Sequence, residues 1–369
     1  MRMIRIGLLV VLVLYLGVFV AAEMSAFSAD TFSRGFYNIV HAWNGEASLQ
    51  NTVALSDDGE DRVYAFKDGV VRLKKNSFTV YSSALVPYSN HAVVLRNPVF
   101  RTAGDRMLVF DRGNSAVYGF DSFERLFLLN VSGSVSNAGL SSGGFFYTVT
   151  DCDGYRGAVT VYDRDGNTRM IWKCADAYLL DGCFSSDTEL SVVGLAPNRE
   201  TTDLYLYRID FQKGELLDTV KIPSDILFSV SGKSDGSTEL ITRTGVWRVR
   251  DGKAEVMFRF EDGNLPSHIR STDSHTLLAV SRTTGETELV LLDRSGNVMF
   301  EQSCGEITDL ALAAGKCYVL SPGTLSVLSA GGGTEAVYSV KSGVRSVFTD
   351  GTHIFLSSAH EVFQFTAEK

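Results

Sequence analysis

The 369-residue chain has only six prolines, and no segment after residue 35 repeats its apolar residues at the helical period of 3.6. The absence of this helical period predicts few helices. The sequence contains no P-loop, no dinucleotide-binding glycine pattern and no GxSxG nucleophile elbow, so the common nucleotide-binding and hydrolase motifs are missing. It also lacks a block of lysine or arginine, and its net charge of −9 argues against nucleic acid or an anionic lipid surface as a partner.

Cysteine and histidine are too scattered to predict a metal site. The five cysteines form no CxxC or CxxH pair, and the six histidines show no i,i+2 or i,i+4 spacing. Because the number of cysteines is odd, at least one thiol stays free or pairs between chains. A Cys174–Cys183 or a Cys304–Cys317 disulfide fits an exported domain, whereas a small buried apolar residue is the simpler interpretation of each cysteine. We predict no metal ligand, no cofactor and no catalytic residue.

An apolar strand–turn–strand pattern recurs eight times between Val53 and the C-terminus. The copies begin near Arg62, Asp105, Gly144, Thr188, Thr238, His275, Lys316 and Thr352, about forty residues apart. This is the length of a four-stranded propeller blade, which must stack on its neighbours because it cannot bury both faces of its sheet alone. The sequence therefore predicts an all-β fold, an eight-bladed β-propeller, with seven blades as the alternative if one copy is an insertion.

The last copy, residues 344–365, supplies three strands, one fewer than a blade needs. Residues 36–43 (FYNIVHAW), upstream of the first copy, are apolar enough to form the fourth strand. We therefore predict that this segment pairs with the C-terminal blade and closes the ring.

The N-terminus carries an apolar run that predicts a membrane signal. Residues 6–22 carry no charged side chain, and the nineteen residues counted from Ile4 would rise roughly 28 Å as a helix, close to the ~30 Å hydrocarbon core of a bilayer. Arg2 and Arg5 before the run and Glu23 after it predict a cytoplasmic N-terminus and a propeller outside the cell membrane. A cleaved signal peptide is the alternative, but the run is longer than the usual signal-peptide core. We expect a retained signal anchor or transmembrane helix at residues 1–22.

This assignment divides the chain into three parts. Residues 23–35 are small and polar and would form a linker after the anchor. The propeller domain would then comprise residues 36–369.

Short runs of aspartate, glycine and asparagine could form either calcium ligands or turns. Residues 163–167 (DRDGN) and 293–297 (DRSGN) are nearly identical, and residues 111–114 (DRGN) are a looser version. None of them has the bidentate glutamate that ends a twelve-residue calcium loop. Their recurrence favours turns, in which glycine and asparagine adopt left-handed conformations.

Two longer segments around these turns carry a resemblance to known repeats. Residues 161–172 (VYDRDGNTRMIW) and 291–300 (LLDRSGNVMF) resemble quinoprotein-like propeller repeats, in which an aspartate and a glycine shape the turn and an aromatic residue ends the outer strand. Asp163, Gly166 and Trp172 match this pattern. The resemblance implies a propeller, and since no adjacent cysteine pair and no regular ring of tryptophans accompanies it, no quinone cofactor is expected.

The whole layout resembles an uncharacterised family of membrane-anchored propellers from anaerobic Gram-positive bacteria. The resemblance rests on residues 154–162 (GYRGAVTVY), 171–172 (IW) and 178–185 (YLLDGCFS), and on a single N-terminal helix before the propeller. That family has no known activity, so the resemblance implies an anchored propeller and transfers no functional residue.

We predict a non-enzymatic, protein-binding or scaffold module at the cell envelope, with an envelope or membrane protein as partner. Exposed tyrosines or phenylalanines on loops at one end of the ring would form the binding face. The alternative is an envelope hydrolase or lyase, or a sensor of wall fragments, whose site assembles at the ring axis. Polar residues expected near the starts of inner strands are the candidates for that site: His91, Asp181, Asp225, His268, Asp309 and Arg345. Acids clustered with histidine would favour the enzyme, and a channel of small or apolar residues would favour the scaffold.

Overall fold

The structure of the protein, a computed structural model, describes residues 29–43, 52–57, 59–197 and 202–366. The chain divides into two units between Ser48 and Leu49. The predicted signal anchor at residues 1–22 lies outside the described residues. Within the described ranges, no helix is both long enough and apolar enough to cross a membrane.

The described part of the first unit is one helix, α1 (Ala29–Trp43). It replaces both the second half of the predicted linker and the predicted closing strand at residues 36–43, so that strand prediction was wrong. The helix exposes Phe32, Phe36 and Ile39. Their spacing of three or four residues is the apolar period of a helix. The period begins before residue 36, and a window confined to residues 36–43 is too short to reveal it.

The described residues of the second unit form thirty-two strands in eight antiparallel sheets of four strands each, so the eight-bladed prediction is confirmed. From the inner to the outer strand, blades 1 to 4 are β2 (Arg62–Phe66), β3 (Gly69–Leu73), β4 (Ser77–Tyr81), β5 (Pro87–Ala92); β6 (Pro98–Ala103), β7 (Arg106–Asp111), β8 (Ala116–Phe120), β9 (Arg125–Asn130); β10 (Val135–Leu140), β11 (Phe146–Cys152), β12 (Tyr155–Tyr162), β13 (Thr168–Cys174); and β14 (Tyr178–Phe184), β15 (Glu189–Pro197), β16 (Thr202–Asp210), β17 (Glu215–Ile222). Blades 5 to 8 are β18 (Leu227–Gly232), β19 (Thr238–Thr242), β20 (Gly245–Arg250), β21 (Lys253–Arg259); β22 (Leu265–Ser271), β23 (His275–Ser281), β24 (Thr287–Asp293), β25 (Val298–Cys304); β26 (Asp309–Ala313), β27 (Lys316–Ser321), β28 (Thr324–Leu328), β29 (Thr334–Ser339); and β30 (Ser346–Thr349), β31 (Ile354–Ser357), β32 (Glu361–Phe365), β1 (Thr52–Ala54).

Blade 8 combines both ends of this unit. Its inner three strands are the C-terminal β30, β31 and β32, and its outer strand is β1, with Val53 opposite Val362. An upstream strand therefore closes the ring as expected, but the strand is residues 52–54. Val53 is buried in a cluster that includes Tyr81 and Leu85 of blade 1 and Phe355 of blade 8, so the closing strand also seals the boundary between these blades.

The first strand of each blade lies innermost, and these strands contact one another around the ring, as in β10 with β14, β14 with β18 and β26 with β30. Their corresponding ends are adjacent, since Gly232 at the end of β18 lies against Phe184 at the end of β14. The inner strands therefore run in the same direction. We call the end where they begin the upper face, and the end where each turns into the second strand of its blade the lower face.

The aspartate-containing runs form turns, as predicted. Asp163 Oδ1 accepts hydrogen bonds from the backbone N–H groups of Asp165 (3.0 Å) and Asn167 (2.9 Å). Asp293 Oδ1 accepts the equivalent bonds from Ser295 (2.7 Å) and Asn297 (2.9 Å). Both turns join the third strand of a blade to its outer strand, and Gly166 has a φ of 87°. The expectation of left-handed asparagines was wrong, because each asparagine keeps a negative φ and bonds the aspartate through its side chain.

The third run, residues 111–114, occupies a different position in its blade. Asp111 ends the second strand of blade 2, where its Oδ1 accepts the N–H groups of Arg96 (2.9 Å) and Asn97 (2.6 Å). The same residue types thus serve two different turns.

The five cysteines are free thiols, so neither of the two disulfides considered from the sequence is present in the structure. Cys174 and Cys317 are buried apolar residues, which is the simpler interpretation. Trp172, the aromatic residue at the end of its outer strand, packs against Tyr207 of the next blade with ring centroids 5.1 Å apart. The Trp172 ring therefore contributes to packing between blades.

Candidate functional site

Three of the six candidate residues lie at separate positions in the ring, outside the lower-face cavity described below. His91 lies on β5, the outermost strand of blade 1, with its ring 5.2 Å from that of Phe120, and burial lowers its pKa. Asp225 precedes β18 and forms an ion pair with Arg243 at 2.9 Å. Arg345 is exposed just before β30. The expectation that His91 begins an inner strand was wrong, because that segment pairs along the outer edge of β4.

His268 and Asp309 lie on neighbouring inner strands, β22 and β26, where they join blades. His268 Nε2 is 3.2 Å from the carbonyl oxygen of Thr308. Asp309 Oδ1 accepts a hydrogen bond from Arg270 at 2.6 Å, and its Oδ2 accepts the Val347 N–H at 3.0 Å. These contacts connect blades 6, 7 and 8, which gives both residues a structural role.

Asp181 lines a cavity of about 760 Å³ on the lower face. The loops between the first and second strands of blades 3, 4 and 5 form its rim. These loops contribute a band of hydroxyl groups that sequence reasoning did not single out: Ser141, Ser142, Ser185, Ser186 and Ser234. Arg101 and Asp181 enter the lining from the inner strands β6 and β14.

A chain of polar contacts holds Asp181 and Arg101 on the cavity wall. Buried Tyr147 donates its hydroxyl proton to Asp181 Oδ1 at 2.9 Å and also contacts the Gly182 carbonyl. Arg101 donates to Asn137 Oδ1 at 3.2 Å, and Asn137 donates to the Leu180 carbonyl at 3.4 Å. Arg101, Asn137 and Tyr147 thus position Asp181 from blades 2 and 3.

Burial raises the pKa of Asp181, and the Gly182 N–H and the Arg101 charge only partly oppose this. Burial and the nearby Asp181 carboxylate also raise the pKa of Tyr147 well above its usual range. The phenol therefore stays protonated and acts as a donor to Asp181.

The opposite wall of the cavity is a closed ion-pair network. The buried Lys233 ammonium donates to Ser271 Oγ (2.6 Å) and the Thr272 carbonyl (2.7 Å), and it lies 3.1 Å from Glu239. Glu239 also accepts hydrogen bonds from Ser271 and Thr276. Because its donors are used within the protein, Lys233 joins blades 5 and 6 and is not poised as a nucleophile.

The Asp181→Asn variant tests this picture of the site. A carboxyl group whose folded pKa is raised binds more protons in the folded state than in the unfolded one, so it costs stability as the pH rises from about 4 through the folded pKa. We expect the variant to gain stability over the wild type across that interval, by about 1.4 kcal/mol for each unit of pKa rise. Urea unfolding at a series of pH values measures this difference.

The exposed Asp262→Asn variant is the matched control and should follow the wild-type pH profile. A pH profile of Asp181→Asn parallel to that of the wild type would contradict the raised pKa.

The upper face carries a patch of exposed aromatic and aliphatic side chains on blades 3 to 6. We define the upper patch as Tyr155, Tyr178, Ile226, Phe228 and Leu265. Tyr178, Phe228 and Leu265 stand at the starts of three inner strands, and Ile226 directly precedes one of them. The sequence predicted such a face in general terms.

Two cations flank the tyrosines of this patch. The Arg156 guanidinium lies 4.9 Å from the centre of the Tyr178 ring, and the Lys173 ammonium lies 5.2 Å from that of Tyr155. Neither cation forms an ion pair with a carboxylate of the described residues. Tyr178 is 54% exposed, and both cations are also open to solvent. The patch therefore offers apolar rings together with free positive charge.

The eight blades and the closing strand define a β-propeller. Residues 43–220 match the sequence model of a family of unknown function, DUF5711. This match supports the expected resemblance to an uncharacterised family, while the membrane anchor and the bacterial group inferred for that family stay predictions. No curated protein matches the sequence.

Solved structures are similar to this chain in fold. BamB from Moraxella catarrhalis superposes with a TM-score of 0.55 at 13% identity, covering 86% of this chain and 97% of that one. The β-propeller domain of Myceliophteria thermophila Cps50 (Swd1) gives a TM-score of 0.52 at 9% identity, covering 85% and 98%. At these identities the similarity establishes the propeller fold and transfers no function.

Proposed function

We propose that this protein is a non-enzymatic, protein-binding or scaffold module whose upper patch receives a partner protein. We further propose that the propeller lies on the extracytoplasmic side of the cell membrane, anchored through residues 1–22. The apolar run at residues 6–22 and the charges on either side of it support this location.

The exposed upper patch is the observation that carries the binding function. Within the described part of the ring, most other large exposed apolar side chains lie on outer strands, singly like Leu128 and Val337 or in adjacent pairs. The upper patch instead gathers five of them on one face. Tyrosine and arginine are enriched among the residues that contribute most to binding at protein interfaces. Exposed apolar side chains gathered on one face are typical of an interaction site.

The partner should present apolar side chains and carboxylates. The rings of Tyr155, Tyr178 and Phe228 supply apolar area, and the free charges of Arg156 and Lys173 would pair with acidic groups at the rim of the contact. Charge pairs at a rim mainly accelerate association and improve specificity, whereas the aromatic side chains provide most of the affinity.

The positions of the six candidate axis residues support a binding role over the hydrolase or lyase alternative. His91 is on an outer strand, and the side chains of His268 and Asp309 are already engaged in contacts between blades. The described residues contain no group of three or more His, Cys, Asp or Glu side chains that could hold a metal ion.

Photo-cross-linking in cells tests the proposed partner site. A photoreactive phenylalanine at Tyr178 of the tagged, full-length protein should capture one defined membrane or envelope protein. The double variant Tyr155→Ser, Tyr178→Ser should reduce its co-purification at least tenfold, because truncating two central aromatic residues typically costs about 2 kcal/mol or more.

The matched control is the double variant Leu128→Ser, Val337→Ser, which removes equally exposed apolar side chains from the outer edge. It should leave recovery unchanged. Equal loss in both variants, or undiminished recovery with the upper-patch variant, would contradict the assignment of the upper patch as the binding site.

A further inference from the structure

Among the charged side chains that line the lower-face cavity are Arg101 and Asp181, two opposite charges that act on each other but form no ion pair. Arg101 lines the cavity from β6 and Asp181 from β14, and the charge of Arg101 acts on the Asp181 carboxyl. Yet neither forms an ion pair with any described residue. Arg101 donates only to neutral acceptors, the Phe100 carbonyl and Asn137 Oδ1. Asp181 accepts from Tyr147 and from the Gly182 N–H.

The fold holds both the Arg101 guanidinium and the Asp181 carboxylate in place, so their separation is a fixed feature of the folded protein. Asn137, which is buried, fixes the Arg101 guanidinium, and the wholly buried Tyr147 hydroxyl fixes the Asp181 carboxylate. Leaving two charges partly desolvated and unpaired is costly. A ligand with a negative group next to Arg101 and a positive group next to Asp181 would recover this cost when it binds.

We propose that the lower-face cavity binds a small zwitterion, such as a free amino acid, with its ammonium group on Asp181 and its carboxylate on Arg101. This would be a ligand site separate from the upper patch and beyond the scaffold function. A cavity of about 760 Å³ falls within the usual range for small-molecule sites, with room for a side chain beyond the two charged groups.

The rest of the lining suits the polar atoms of such a ligand. Ser141, Ser185 and Ser231 offer hydroxyl groups around the cavity, while Phe184 supplies an apolar wall. A neutral sugar could use the hydroxyl groups but would leave both charges uncompensated. A simple carboxylate would pair with Arg101 and be repelled by Asp181.

Isothermal titration calorimetry with the full-length protein tests the proposal. The probes are the twenty common amino acids, first as a mixture and then singly. For the best ligand, its N-acetyl derivative and its methyl ester should each bind at least tenfold more weakly, because each lacks one of the two charges. This comparison uses the unaltered protein and therefore does not depend on any variant folding.

Variants then locate the site. Asp181→Asn and Arg101→Gln should each weaken binding at least tenfold, while the exposed variants Asp262→Asn and Arg112→Gln should bind as the wild type does. Circular dichroism checks that all four fold. Absence of binding by every amino acid would overturn the proposal, as would equal binding of the blocked derivatives or selective binding of glucose.

The pH dependence provides an independent readout. Asp181 must be ionised to hold an ammonium group, so affinity should fall as the pH is lowered from neutral through the pKa of this carboxyl, which burial raises above its usual range. The titratable groups that face Asp181 are Arg101 on β6, Tyr147 on β11 and Cys183 on β14, and the charges of Lys233 and Glu189 act on Cys183. Burial raises the pKa of both Tyr147 and Cys183, so neither ionises as the pH is lowered. Affinity independent of pH would overturn the proposed ammonium contact.

Discussion

Replacing Val53 by aspartate is expected to lower the free energy of unfolding by about 4 kcal/mol or more, the largest effect of any substitution considered. Val53 is only 7% exposed and faces Tyr81, Leu85 and Phe355 at the boundary between blades 8 and 1. A carboxylate there has no partner in the cluster. It would either remain unpaired in an apolar environment or pull β1 away from β32, which opens the ring.

Thr52→Asp is the matched control, since the same side chain is introduced one residue earlier on the same strand. Residue 52 is exposed, and neighbouring residues of a strand point to opposite faces. Its free energy of unfolding should stay within about 0.5 kcal/mol of the wild type. Urea unfolding followed by tryptophan fluorescence measures both variants. Similar stability of the two would show that β1 does not close the ring.

Gly232→Ala is expected to destabilise the propeller by about 3 kcal/mol, at the upper end of the range for overpacking. A Cβ atom at residue 232 would lie 1.9 Å from the carbonyl oxygen of Phe184 on the neighbouring inner strand. The obstacle is backbone, so relief requires the inner strands of blades 4 and 5 to move apart. Gly232 does not have a positive φ, and the cost therefore comes from this contact alone.

Gly305→Ala is the control, because a Cβ atom there would meet no atom within 4 Å and the residue also lacks a positive φ. Its stability should equal that of the wild type or rise by up to about 1 kcal/mol through loss of unfolded-state entropy. Thermal unfolding of both variants measures the difference. An unaffected Gly232→Ala variant would mean that the two inner strands are not held at this distance.

The blade count could be predicted because the repeat is local. Each copy alternates strand and turn residues over about forty positions, and eight copies were visible even where individual turns had degenerated. The phase of the repeat could not be predicted. Seven copies begin at the second strand of a blade, but the copy at Arg62 begins at the inner strand of blade 1. Inner and outer strands have similar compositions, so His91 was placed at an inner-strand start although it lies on an outer one.

Which residues come together in a candidate site depends on where each blade begins in the repeat. Asp181 was found because it is a polar residue on an otherwise apolar strand, but Arg101 and Tyr147 are 80 and 34 residues away along the chain, and no local pattern links them to it. The upper patch is likewise formed by residues that only the folded structure brings together. Tyr155 and Tyr178 belong to different blades, and they meet through Arg156 only because the outer strand of blade 3 leads into the inner strand of blade 4.

The sequence alone determined the fold class, the number of blades and the turns built on Asp163 and Asp293, because strand alternation and turn chemistry act over a few neighbouring residues. Only the tertiary structure decided that residues 52–54 close the ring and that residues 29–43 form a helix. It also decided that Arg101 and Asp181 share a cavity. These features depend on which distant strands become neighbours, and that follows from closing eight sheets around one axis.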